Sequence, residues 1–258
     1  MAVVKLVLAY DGSEFHGFAS QPGRRTVEGA LLEGLERVLG ERPKLSVAGR
    51  TDAGVHAWGQ VVSFETEEDP ARVARSLNGM LAPEVVVRRA VRARDGFDAR
   101  ANATARQYQY RIRTASVPDP FTARFEWHRP GDYRLGAMRT AARHLLGQHD
   151  FASFCRAPKD GGSTVRTLRR LTARRDGERL EVGARADSFL HQMVRSLVGT
   201  LVAVGEGAME PGSMPAVLAA RDRSAAGPVA PPDGLVLVSV TYGPSPSRTR
   251  SGASGERR

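Results

Sequence analysis

Residues 44–64 read KLSVAGRTDAGVHAWGQVVSF. Two apolar, β-branched runs, 44–48 and 60–64, enclose a tight Gly-containing segment, 49–59, and read as two strands joined by a loop. Working outward, residues 3–10 (VVKLVLAY) form a further strand, and Thr26 can cap a helix whose apolar face is Val27, Leu31, Leu35 and Val38. Pro70 opens a second helix running to about Met80, as proline does in a first turn, and residues 85–91 close the half as a strand. The order is βαββαβ.

The remainder repeats that order. Residues 108–113 alternate as a strand would, and 135–146 place Leu135, Met138, Ala142, Leu145 and Leu146 on one helical face. Residues 165–173 and 180–186 read as strands joined by the turn Arg175-Asp176-Gly177. Ser188 can cap a helix to about Val204, a short helix fits 214–220, and 235–242 is a last strand. The expectation is an α+β chain of two tandem βαββαβ lobes, ferredoxin- or RRM-like, with antiparallel sheets flanking a cleft. Residues 1–104 form the first lobe, 105–243 the second, and 244–258 a disordered basic tail rich in Ser, Pro, Gly and Arg. Neither half carries the aromatic sheet signature of an RRM, so RNA is not expected to stack on an open sheet.

Within the loop, Gly49 and Gly54 permit tight backbone geometry, and Arg50 and Asp52 face the same way on an extended segment. A neighbouring arginine favours the ionised form of a carboxylate, and an ionised, positioned aspartate can act as base or nucleophile. The competing reading makes Asp52 a turn residue bonded to a nearby backbone N–H.

The length of the pattern decides between them. AGRTDAGVHAWGQVVSF (48–64) resembles the signature of the tRNA pseudouridine synthase A family, and further segments follow in that family's order. They are YDGSEFHGF (10–18), FDARANATARQYQYRI (97–112), HDFASF (149–154), SFLHQMVRSLVGTLVAVGEG (188–207) and GLVLVSVTY (234–242). An ordered set spanning most of the chain is far more specific than one short motif. The resemblance implies Asp52 as the catalytic carboxylate with Arg50 beside it, Arg195 as its ion-pair partner, Tyr108 against the target base, and Leu235 lining the pocket. It also implies uridine-to-pseudouridine isomerisation in the anticodon stem-loop of tRNA, at positions 38–40, by a homodimer. One departure is Phe18-Ala19, where many members carry Trp-Gln. That change bears on local RNA contacts rather than on the chemistry.

The bulk properties agree with an RNA substrate. The net charge is +10; the tail contributes four Arg and one Glu, a net of +3, which leaves +7 on the body. Planar guanidinium groups suit phosphate, and Arg24, Arg25, Arg100, Arg106, Arg156, Arg166 and Lys159 are candidate backbone contacts, with 156–162 a candidate flap. A single cysteine excludes an internal disulfide, and no signal peptide or membrane-length apolar run is present, so a cytoplasmic, membrane-free protein is expected. The six histidines show no metal-ligand spacing, with His56 and His191 read as structural residues or as supports behind the site, and an isomerisation without redox change needs no cofactor. Two other classes compete: an RNA-binding protein or chaperone of the same fold, and a metal-dependent nuclease. A nuclease needs clustered carboxylates and would be inhibited by chelators.

Overall fold

The computed structural model describes residues 2–158 and 161–243; Lys159 and the expected disordered tail, 244–258, lie outside the described residues. The first half runs β1 (Val3–Tyr10), α1 (Val27–Leu39), β2 (Ser46–Val47), β3 (His56–Glu65), α2 (Pro70–Leu81) and β4 (Val85–Arg92). The second runs β5 (Ala103–Arg113), β6 (Trp127–His128), α3 (Leu135–His144), β7 (Gly147–Asp150), β8 (Val165–Asp176), β9 (Arg179–Ala186), α4 (Met193–Glu206), α5 (Met214–Ala220) and β10 (Leu235–Tyr242).

Local chemistry explains the helix boundaries. The Thr26 hydroxyl accepts a hydrogen bond from Gly29 N–H, and Gly40 ends α1 at φ 80°, a left-handed value that glycine adopts without penalty. Asp69 caps α2 through Ala71 and Arg72 N–H, with Pro70 in the first turn. The inner face of α1 is Val27, Leu31 and Leu35, all buried against β1 and β3 side chains in one core that continues into the second half. Truncating Leu31 or Leu35 to alanine there costs about 2–5 kcal/mol.

Along β1, Val4, Leu6, Leu8 and Tyr10 point into that core, while Lys5, Val7 and Ala9 alternate onto the other face. The sheet order is β4-β1-β3-β10-β5-β9-β8-β7, mostly antiparallel, with β2 added to β3 and β6 to β5. Two lobes imply a separate sheet for each half; a parallel pairing of His56 and Ala57 with Val236 and Leu237 joins them into one. The joint uses residues expected in the loop, because β3 begins at His56 rather than Gln60. Farther along the same edge, Val62 and Ser63 pair with Val47 and Ser46 of β2. One edge of β3 thus serves two neighbours, which leaves fewer unpaired N–H and C=O groups.

Two other expectations change. The β8–β9 turn is Gly177-Glu178, with Gly177 at φ 56°, one step beyond the expected one. Helix α4 begins at Met193 and Ser188 does not cap it; Ser188 N–H donates to Asp187 Oδ1 instead, at 2.6 Å. The chain from 187 to 192 stays open, Gln192 turns into the helix at φ 63°, and Phe189 packs edge-on to Tyr108 with ring centroids 5.2 Å apart.

Candidate active site

Asp52 sits between β2 and β3 on a loop held from several sides. Arg106 Nη2 donates to Ala48 O at 2.6 Å, and Gln60 Nε2 donates to Gly49 O at 2.6 Å. The Tyr10 hydroxyl bonds Thr51 Oγ1 at 2.9 Å, and Phe18 N–H donates to Thr51 O at 3.0 Å. Burial of Tyr10 pushes its phenol up to about 12, so it stays a neutral partner in this network. Gly12 lies so close that an added Cβ would stand 2.2 Å from Val55 O; only glycine lets segment 11–18 approach this loop. Gly54 has φ 78° and faces Pro232, as its expected role requires, whereas Gly49 has open space and needs neither freedom. Phe18, at the position that departs from the resembling family, is fully buried and supports the loop through its backbone.

The carboxylate of Asp52, 22% exposed, receives Arg195 Nη1 at 3.2 Å on Oδ2, and His191 Nε2 stands 3.4 Å from Oδ1. Arg195 is itself fixed: its Nε donates to Ala230 O at 2.7 Å, and its own carbonyl accepts from Ala230 N–H at 3.1 Å. The expected Asp52–Arg195 pair is therefore formed. Tyr108 is buried on the same side, and burial, then electrostatic interaction with the neighbouring Tyr10 and Asp52 side chains, raises its pKa, so its hydroxyl keeps its proton. Tyr110, two residues on, is a packing residue, with its hydroxyl donating to Pro231 O at 2.7 Å. Leu235 is buried opposite Tyr110, and the residue directly across from Tyr108 is Leu237.

Other expected site residues sit apart from the carboxylate. Arg50 is exposed and makes no hydrogen bond or ion pair with Asp52; the paired cation is Arg195. Arg100 and Arg24 are exposed, the latter 3.4 Å from His16 Nε2. Arg25 is engaged by Glu84 at 2.9 and 2.5 Å. Arg106 corrects its own expectation, because it is buried and bonded to backbone carbonyls rather than presented to solvent. His191, expected to be structural or to support the site, is half exposed and stands at the Asp52 carboxylate. His56 is buried, as read, with Gly12 N–H donating to its Nδ1 at 3.0 Å and Asp233 O 3.1 Å from Nε2. That arrangement fits the neutral ring, and burial, outweighing the Asp11 carboxylate and the Asp233 carbonyl, lowers its pKa.

A cavity of about 230 Å³, lined by Trp58, Arg111, Phe125 and Val236, does not include Asp52. Arg111 and Val236 alternate with Tyr108 and Leu237 along β5 and β10, so it opens on the other face of the sheet. Among the described residues, no three His, Cys, Asp or Glu side chains group as metal ligands, and no helix is long and apolar enough to cross a membrane.

Residues 141–243 match the family model described as tRNA pseudouridine synthase. The chain is 46% identical over 250 residues to tRNA pseudouridine synthase A of Frankia casuarinae, covering 94% of this chain and 90% of that protein. Against the enzyme of the same name from Geobacillus kaustophilus, identity is 41% over 243 residues, covering 93% and 94%. Against that of Methylobacterium sp. strain 4-46 it is 44% over 241 residues, covering 92% and 96%. With relatives this similar along almost their whole length, the chain belongs to the tRNA pseudouridine synthase A family.

Proposed function

We propose that this protein isomerises uridine to pseudouridine in tRNA, with Asp52 as its catalytic carboxylate. The observation that carries the reading is a half-buried carboxylate on a loop fixed at Ala48, Gly49 and Thr51, paired with Arg195 from α4 at 3.2 Å. A preorganised charge of this kind acts at reaction without reorganising.

The reaction breaks the bond between ribose C1′ and uracil N1, joins C1′ to C5, and releases the C5 hydrogen as a proton while the freed N1 takes one up, so the composition is unchanged. Asp52 can attack C1′ or C6, or remove a proton from C2′. In each case Arg195 holds the carboxylate as an anion pointed into the site, and Tyr108 offers a ring face to a base extruded from its stack. Stacking of that kind is worth about 1–3 kcal/mol per base. Nothing is oxidised and no energy is supplied, so the chemistry calls for no nucleotide cofactor.

Finer features belong to the same reading. We take residues 1–104 and 105–243 as two lobes with the site between them. The strand orders β4-β1-β3-β2 and β10-β5-β9-β8, the same in each half, support this. The target is the anticodon stem-loop, positions 38–40, and the acting form is a cytoplasmic homodimer. Exposed Arg24, Arg50 and Arg100, together with Lys159, contact the RNA backbone, and Leu235 shapes the pocket behind Tyr108. Incubation of the purified protein with unmodified tRNA, followed by digestion and nucleoside chromatography, tests the activity. A pseudouridine peak is expected; tight tRNA binding without that peak would favour a non-catalytic RNA-binding protein.

A further inference from the structure

Arg106, on β5 two residues before Tyr108, is 9% exposed, and all five of its N–H groups have carbonyl partners. Nε and Nη2 donate to Ala48 O at 3.0 and 2.6 Å, and Nη2 also donates to Arg100 O at 3.3 Å. Nη1 donates to Ala103 O at 3.1 Å and to Asp187 O at 2.7 Å. Every one of these acceptors is backbone, and burial lowers the pKa of the guanidinium. A buried cation is costly unless its hydrogen bonds are all satisfied, as they are here; the nearby Asp187 charge also favours it.

Two of the four carbonyls belong to the segments that make the site. Ala48 opens the loop that carries Asp52. Asp187 opens the stretch that passes through Phe189 and His191 and turns into α4 at Gln192, ahead of Arg195. These segments come from opposite halves of the chain, and the fork of one guanidinium grips both.

We propose that Arg106 is a positioning residue for the isomerisation: its fork fixes the Asp52 loop against the 187–195 segment and so sets the Asp52–Arg195 geometry. The proposal rests on Asp52 being the catalytic carboxylate. A lysine keeps the charge but concentrates its donors on one atom, so it cannot reproduce a grip made from two edges of a planar group.

The test compares wild type, Arg106→Lys, Arg106→Gln and Asp52→Ala. It measures tRNA affinity across a salt series and the single-turnover rate at saturating enzyme. Rates are normalised to protein that binds tRNA stoichiometrically, so that partial unfolding does not imitate a slower step. The expected result for both Arg106 variants is affinity within about twofold of wild type, an unchanged salt slope, and turnover slower by about tenfold or more, with Lys no better than Gln. Wild-type turnover in either variant, or a rate loss that disappears on normalisation, would overturn the proposal. So would weaker binding with a salt slope reduced by about one, which is the mark of a phosphate contact. Turnover by Asp52→Ala would instead remove the reading of Asp52. An inactive Asp52→Ala beside fully active Arg106 variants would remove Arg106 alone.

Discussion

Arg195 Nη1 reaches Asp52 Oδ2 at 3.2 Å across 143 residues of sequence, and both partners are fixed by bonds to other groups before they meet. The pair is 14% and 22% exposed, so water screens it less than a surface ion pair. Its value lies in orientation, since a semi-buried pair gives little net stability.

Removing that cation tests this directly. Arg195→Met keeps an apolar stem of similar length beside α4 but withdraws the donor. A charge-assisted hydrogen bond of about 1.5–3 kcal/mol corresponds to a fall in kcat of about ten- to a hundredfold, with tRNA affinity little changed. Steady-state kinetics with tRNA checks the split; a loss confined to KM would assign Arg195 to binding instead.

The two tyrosines of β5 should behave differently. Tyr108→Leu removes the ring beside Phe189 and should lower kcat/KM by about ten- to a hundredfold, as expected for losing 1–3 kcal/mol of base stacking. Tyr110→Phe removes only the bond to Pro231 O and should cost about 1 kcal/mol of stability while leaving turnover intact. Thermal melts alongside kinetics separate the two effects. Equal kinetic losses in both would mean that Tyr108 is also merely packing.

Arg50 is exposed and unpaired, so Arg50→Ala should weaken tRNA binding modestly and lower the salt slope by about one, as for a lost phosphate contact. Affinity measured across a salt series decides. An unchanged slope with a large fall in kcat would place Arg50 in the chemistry.

His56 makes a prediction for pH. Its pKa in the folded chain is lowered below the ordinary 6.5 by burial, so the unfolded chain binds a proton that the folded one resists. The stability contributed by neutral His56 is complete above about pH 6.5 and is lost as pH falls through the folded value. Denaturant midpoints should drop across that window, and His56→Gln should flatten the drop. An equally steep decline in the variant would assign it to other groups, such as Asp11.

Much of this was legible because periodicity and spacing report local structure. The alternation of Val4, Leu6, Leu8 and Tyr10, the Thr26 cap and the Pro70 helix start are properties of short segments. The resemblance singled out Asp52, Arg195 and Tyr108; the structure brings Asp52 and Arg195 to 3.2 Å, with Tyr108 near enough for the Asp52 charge to act on its phenol. What stayed hidden depends on long-range geometry. Nothing near His56 announces a parallel pairing with Val236. Arg106 looks like any basic residue in an Arg-rich sequence until the carbonyls of Ala48 and Asp187 surround it. The open stretch before α4 stayed hidden for another reason: Ser188 offers a cap, so residues 188–192 read as helix.

Tritium release from tRNA labelled at uracil C5 measures whether Asp52 carries the isomerisation of uridine. Joining the ribose to C5 expels that hydrogen, so release reports the rearrangement itself. Wild type is expected to release tritium and Asp52→Ala none above background, with tRNA affinity retained in the variant. Release by both, or by neither despite tight binding, would contradict this expectation.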